Sequence, residues 1–247
     1  MSVAGELQWH TLPPNSFRTR DVSITGMVEP AYEMGGDAFD YAYDDEMLHL
    51  AIFDAVGHDL DASILATLAV GTYRNSRRAG DHLTDVAAAI DATVGPRFGA
   101  TRYVTGQIAR FDVASGYVRL VNAGHPLPLL IRDDRVVGPL NCSPWVPFGL
   151  GHALGLGPPE VCETQLQPGD GLLMYSDGVI EAGHAGGSEF GLERLGEFLH
   201  HALAAGLSPA ETLRRLTHAV FDHHDGKLED DATMLLLRWH PAGRASA

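Results

Sequence analysis

The feature that most constrains this chain is a series of short strand-like runs separated by paired helices, with no regular βαβ alternation. The runs are VSITGMV from Val22, MLHLAIF from Met47, YVTGQIARF from Tyr103, YVRLVNA from Tyr117, PLLIR from Pro128, GLLMYS from Gly171 and ATMLLLRW from Ala232. Most are rich in β-branched or aromatic residues and bounded by Gly, Asp or Pro, as strands are. ARFDVASGYVRL reads as two strands joined by a turn at Ala114–Gly116. Helical patterns cover Asp61–Arg78 and Asp85–Val94, then Leu192–Ala205 and Pro209–His223. The last begins with Ser208 as N-cap, Pro209 at the first helical position and Glu211 closing a capping box. Leu213, Leu216, Val220 and Phe221 then share one face. This order predicts antiparallel sheets covered by helices.

Residues 1–247 carry no repeat or linker and read as a single domain with its core from about Leu7 to Trp239. The tail 240–247 reads as frayed and disordered. Acidic residues number 32 against 17 basic, a formal charge of -15, which argues against nucleic acid and anionic membrane as partners. No apolar run approaches the roughly 18 residues of a membrane helix. The start, MSVAGELQWHTLPPNSF, has no basic region followed by an apolar stretch, so no signal peptide is expected. Cys142 and Cys162 match no zinc spacing and read as packing residues, consistent with a reduced, cytoplasmic location.

The acidic residues carry the functional signal. They cluster in GGDAFD (Gly35–Asp40), FDAVGHD (Phe53–Asp59), YSDGVIEA (Tyr175–Ala182) and EDDAT (Glu229–Thr233), with NAGHP (Asn122–Pro126) as a further Asn/Gly/His segment. A strand that ends in Asp followed by a small residue fixes a carboxylate and leaves room for an ion and substrate. Mg²⁺ and Mn²⁺ prefer such oxygen donors. Each segment taken alone also reads as a turn: Asp and Gly suit turns for local backbone reasons, and Asp59 or Asp61 suits a helix N-terminus. It is the ordered set that speaks for a site.

In that order the segments resemble the bacterial branch of the metal-dependent PPM-type phosphatases, typified by the sporulation phosphatase SpoIIE and the stress-response phosphatases acting on anti-sigma-factor antagonists. The strongest stretches are EPAYEMGGDAFDY, FDAVGHDLDAS, NAGHPLPLLI, LLMYSDGVIEA and DDATMLLLR. The resemblance implies an α+β fold, an antiparallel β-sandwich flanked by helices on both faces. It implies a protein serine/threonine phosphatase that attacks phosphoserine or phosphothreonine with a water activated by two divalent cations, Mn²⁺ or Mg²⁺. The family's ligands map onto Asp54 as bridging carboxylate, the Ala55 carbonyl, Asp177, Asp230 and an acid of GGDAFD, with Asp37 preferred to Asp40. Asp231, Asp40, Gly57 and His58 are expected in support. The implied partners are a phosphorylated regulatory protein and a sensor domain or activator, which would act through the helix after Asp54. Two departures stand out: Asp59 replaces the usual Gly after His58, and Ala38 replaces the usual aromatic after Gly-Gly-Asp. No equivalent of the phosphate-binding Arg of eukaryotic relatives is apparent.

The competing readings are a catalytically weak partner-binding module of the same fold and another two-metal hydrolase such as a nuclease, against which the acidic charge counts. The 13 His residues do not point to zinc, because adjacent His200–His201 and His223–His224 diverge by about 100° on a helix. His125 reads as turn structure. Trp9 reads as covering the sandwich or marking a docking edge.

Overall fold

The computed structural model describes residues 11–31, 35–98, 101–181, 189–224 and 228–240. Trp9, Tyr32–Met34 and the tail from 241 lie outside them. Among the described residues, eleven strands form two antiparallel sheets. The six-stranded sheet has β1 (Ser16–Arg18), β2 (Val22–Glu29), β11 (Ala232–Trp239), β10 (Gly171–Tyr175), β7 (Leu129–Arg132) and β8 (Arg135–Pro139) in that spatial order. The five-stranded sheet runs β3 (Asp37–Asp44), β4 (Met47–Ala55), β5 (Val104–Asp112), β6 (Tyr117–Ala123) and β9 (Cys162–Gln165). The helices are α1 (Leu60–Ala79), α2 (Leu83–Phe98), α3 (Gly191–Ala204) and α4 (Pro209–His223).

The apolar residues form three layers. Ile24, Phe39, Leu50, Ile52, Phe111, Leu172, Leu235 and Leu237 fill the space between the sheets. Phe53, Leu65, Tyr73, Ile90, Ile108 and Val121 join the five-stranded sheet to α1 and α2. Leu173, Leu199, Leu213, Leu216, Met234 and Leu236 join the six-stranded sheet to α3 and α4. The central strands therefore bury both faces, and β10 and most of β11 read as continuous apolar runs for that reason. This is the expected α+β sandwich with helices outside both sheets.

Chain-local signals located the helices and most of the strands, but not β3, whose acidic DAFDYAYD shows no apolar run. The hairpin at 112–117 closes with the Gly116 N–H donating to the Asp112 carbonyl at 2.8 Å. Ser208 caps α4, accepting from the Glu211 N–H at 3.3 Å. Glu211 turns its carboxylate to Arg214 and Arg215. In α1, Leu65, Ala66, Ala69, Val70 and Tyr73 face the core, whereas Ile64 and Leu68 are half-buried. Strands β1, β8 and β9 are short, with alternating exposure and little apolar signal.

The cysteines correct the sequence reading. Cys142 and Cys162 form a disulfide, with a Cα–Cα distance of 5.3 Å. That spacing lies within the range a disulfide needs. The pairing brings the segment after β8 against the start of β9, a tertiary contact that spacing along the chain does not show. No helix among the described residues is long and apolar enough to cross a membrane.

Candidate active site

Strand parity builds the site. On β4, Leu48, Leu50 and Ile52 face the opposite sheet, so Asp54 follows on the same side. On β3, Phe39 faces that way, and Asp37 with it. On β11, Leu235 and Leu237 point between the sheets, which puts Thr233 and Asp231 in line with them. On β10, Leu172 and Met174 do the same, and Ser176 follows. The acids thus gather where the apolar filling of the sandwich runs out, at one end, from both sheets.

Asp37 and Asp54 are directly opposite in the β3–β4 register. The Ala55 N–H donates to the Gly36 carbonyl at 3.0 Å, extending that pairing into the Gly-Gly turn. Asp231 crosses from the other sheet: its carboxylate accepts from the Ala31 N–H at 2.9 Å and the Asp37 N–H at 3.4 Å. Buried Ser176 stitches β10 to β11, donating to the Asp231 carbonyl at 3.2 Å and accepting from the Thr233 N–H at 2.9 Å. A short 3₁₀ turn, Asp177–Val179, then presents Asp177. It needs Gly178, because a Cβ there would lie 2.1 Å from the Asp231 carbonyl oxygen. Asp230 is exposed, and its carboxylate accepts from the Asp231 N–H at 2.8 Å.

The electrostatics follow from burial and crowding. Asp37 is raised well above the ordinary carboxylate range, by burial first and then by the charges of Asp54 and Asp231. Asp54 is pushed up to about 7, again by burial first, with Asp177, Asp230 and Asp231 adding. Asp177 is raised by burial and by Asp230. These carboxylates press on one another with oxygen donors only, a donor set that suits hard divalent cations. The side chains as placed do not yet close on an ion: among the described residues no group of three or more His, Cys, Asp or Glu is arranged to hold one.

The remaining expected residues fall as follows. Asp40 does not join the cluster. Three residues beyond Asp37, it faces α1, where Arg74 Nη2 and Nε donate to its Oδ1 at 2.6 and 3.1 Å. Gly57 and His58 are exposed in the bend between β4 and α1. Asp59 is the N-cap of α1, accepting from the Ala62 N–H at 3.0 Å, and it pairs with Arg102. Its carboxylate is held down at about 2, chiefly by the Arg102 hydrogen bonds. It therefore turns toward helix and guanidinium.

Sequence reasoning missed Thr105 and the second role of His125. Thr105 Oγ1 donates to Asp54 Oδ2 at 3.4 Å and lies 2.8 Å from His125 Nδ1. His125 is buried, and burial lowers it to about 3, so the ring is neutral at physiological pH. The turn reading of NAGHP also holds: Asn122 donates to the His125 carbonyl at 2.9 Å and accepts from its N–H at 3.0 Å. The available signal was the parity of β5, but the register that brings Thr105 to Asp54 is not written locally.

With this geometry in place, comparison with known proteins is informative. The family described as Stage II sporulation protein E (SpoIIE) matches residues 44–240. Phosphoserine phosphatase RsbU of Bacillus subtilis is 22% identical over 244 residues, covering 96% of this chain and 69% of its own length. The crystal structure of the RsbU and RsbW domains of Rv1364c from Mycobacterium tuberculosis aligns with a TM-score of 0.69 at 28% identity, over 90% of this chain and 61% of that one. The SiaA-PP2C domain of Pseudomonas aeruginosa aligns with a TM-score of 0.77 at 17% identity, over 96% and 94%. The chain thus spans less than two thirds of the mycobacterial chain it matches.

Proposed function

Since this chain belongs to the SpoIIE family and is a serine/threonine phosphatase, we propose that it hydrolyses phosphoserine or phosphothreonine on a regulatory protein, with two divalent cations, Mn²⁺ or Mg²⁺, at the acidic end of the sandwich. The observation that carries this reading is the meeting of Asp37 and Asp54 from one sheet with Asp177, Asp230 and Asp231 from the other, where burial and the crowded charges of Asp54, Asp177, Asp230 and Asp231 raise the site's affinity for positive charge. Asp54, Asp37, Asp177, Asp230 and the Ala55 carbonyl are the proposed ligands. When bound, the cations would lower the pKa of a water and neutralise phosphate charge.

The chain's own residues supply the positioning. Asp231 holds the backbone at Ala31 and Asp37. Thr105, oriented by neutral His125, steadies one oxygen of Asp54. Ser176 ties Asp177 to the strand that carries Asp230 and Asp231. The proposed substrate class follows the relatives: RsbU is named a phosphoserine phosphatase, and the mycobacterial structure holds RsbU and RsbW domains together. We therefore favour a phosphorylated member of a partner-switching pathway, such as an anti-sigma-factor antagonist, as substrate.

The test is turnover of a phosphoserine peptide, p-nitrophenyl phosphate and a nucleotide, each with and without Mn²⁺. Mn²⁺-dependent release of phosphate from the peptide is expected. Full activity after exhaustive chelation would remove the metal from the mechanism. A folded chain that binds the phosphopeptide without turnover would replace this reading with a partner-binding module.

A further inference from the structure

Arg102 is a cation set against the loop that follows Asp54, and both of its terminal nitrogens are engaged there. Nη1 donates to the Val56 carbonyl at 3.3 Å and to Asp59 Oδ1 at 3.0 Å, and Nη2 donates to Asp59 Oδ2 at 2.6 Å. Asp61 stands 3.9 Å away. The next residue, Tyr103, accepts the Val56 N–H at 3.1 Å. Consecutive residues 102 and 103 therefore hold both backbone groups of Val56. A peptide unit is planar, so fixing the Val56 N–H also fixes the direction of the Ala55 carbonyl in the same unit. Arg102 fixes the following unit and, through Asp59, the N-cap of α1. Gly57 makes the approach possible: its φ is +96°, and a Cβ there would lie 2.9 Å from Arg102 Nη1.

We infer that Arg102 is a positioning residue, with Asp59 as its anchor, which holds the Val56–Asp59 loop so that the Asp54 carboxylate and the Ala55 carbonyl stay in place for a cation. The inference rests on the proposed site. An exposed ion pair contributes little to stability by itself. A bidentate arginine fork, in contrast, imposes geometry on the groups it joins. The effect belongs in cation affinity, because the fork is spent on the loop and not turned toward substrate. Asp59, where the family pattern has Gly, then neither repels phosphate nor binds metal: it supplies the acceptor that the fork needs.

The experiment compares the intact chain with Arg102→Ala, Arg102→Lys, Asp59→Gly and the Arg102→Ala/Asp59→Gly double variant. Mn²⁺ affinity is measured directly by calorimetric titration, KM for p-nitrophenyl phosphate at saturating Mn²⁺, and folding by circular dichroism. Loss of a residue that orients metal ligands typically weakens affinity by a factor of about ten or more. Arg102→Ala should show that weakening with KM unchanged, and the double variant should be no worse than Arg102→Ala alone. Lysine cannot bridge both oxygens and should restore only part of the affinity. Unchanged Mn²⁺ affinity in folded Arg102→Ala overturns the inference, as does a raised KM at unchanged Mn²⁺ affinity, which would make Arg102 a phosphate contact. If Arg102→Ala fails to fold, Arg102→Lys and Asp59→Gly decide by the same criterion. A wild-type chain that binds no Mn²⁺ removes the proposed function and this inference together.

Discussion

Asp37 and Asp54 stand directly opposite each other on neighbouring antiparallel strands, two acids where a cross-strand pair normally holds complementary or apolar side chains. Like charges in that position are destabilising. Burial at the end of the sandwich makes the pairing costlier still, and both groups are driven toward the protonated form. The arrangement persists because strand parity places it, and it gives the site a standing demand for positive charge.

That demand predicts what charge removal does to turnover. Asp54→Asn and Asp177→Asn should each fold normally and lose roughly a hundredfold or more in activity, by analogy with losses on disturbing metal-site residues. Steady-state hydrolysis of a phosphopeptide at saturating Mn²⁺ is the measurement. Wild-type turnover in either variant would remove that residue from the site.

The same acids predict the pH dependence of the metal-free protein. Asp54 titrates near 7 in the folded chain against 3.8 as its ordinary value. The folded state therefore binds the proton more tightly, and this group's contribution to stability falls as pH rises from about 4 through about 7. Thermal melts in chelator should show a declining Tm over that interval. Asp54→Asn should decline less and be the more stable of the two at pH 8. A wild-type Tm that is flat across the interval would contradict the assignment.

Asp40 and Asp37, three residues apart, should separate cleanly. Arg74→Ala leaves the Asp40 carboxylate, 2% exposed, without its guanidinium partner. Breaking a buried pair in this way typically costs about 3–5 kcal/mol. Denaturant melts should show that loss at the lower end, because Arg74 is partly exposed. Calorimetric titration of the folded variant should give wild-type Mn²⁺ affinity, because the pair faces α1 and not the acidic end of the sandwich.

The disulfide gives a fourth expectation. Cys142 and Cys162 close a loop with a sequence separation of 20. A cross-link of that size stabilises by about 3 kcal/mol in the chain-entropy account. Cys142→Ser/Cys162→Ser should lower stability by about that amount while leaving turnover intact, since Cys162 lies on β9, the edge strand three strands from β4 and Asp54. Equal melts for the oxidised protein and the double variant would show that the bond contributes nothing.

Much of this protein is written locally in its sequence. The strand runs, both helix pairs, the Ser208 cap and the hairpin turn at Gly116 depend on neighbours a few residues apart, and all were legible. So were the acidic segments: Asp54 and Asp177 end or follow apolar strands, whereas Asp37 opens β3 and Asp230–Asp231 precede β11. The fold class followed from the order of these elements, and the family resemblance from the order of the motifs.

What only the tertiary structure decided is which of these segments meet. The register of the β3–β4 hairpin put Asp37 opposite Asp54, and that of β5, much further along the chain, put Thr105 beside it. Face parity sent Asp40 to Arg74 and kept Asp37 at the end of the sandwich. The Arg102–Asp59 clamp, the His125–Thr105 contact and the Cys142–Cys162 bond join residues about 20 to 43 positions apart. Taken alone, Asp59 suited a helix N-terminus, His125 a turn and the cysteines packing, and Arg102 and Thr105 carried no signal. Periodicity records the environment of a residue and not its partner, so these contacts exist only once sheets and helices have closed on a common core.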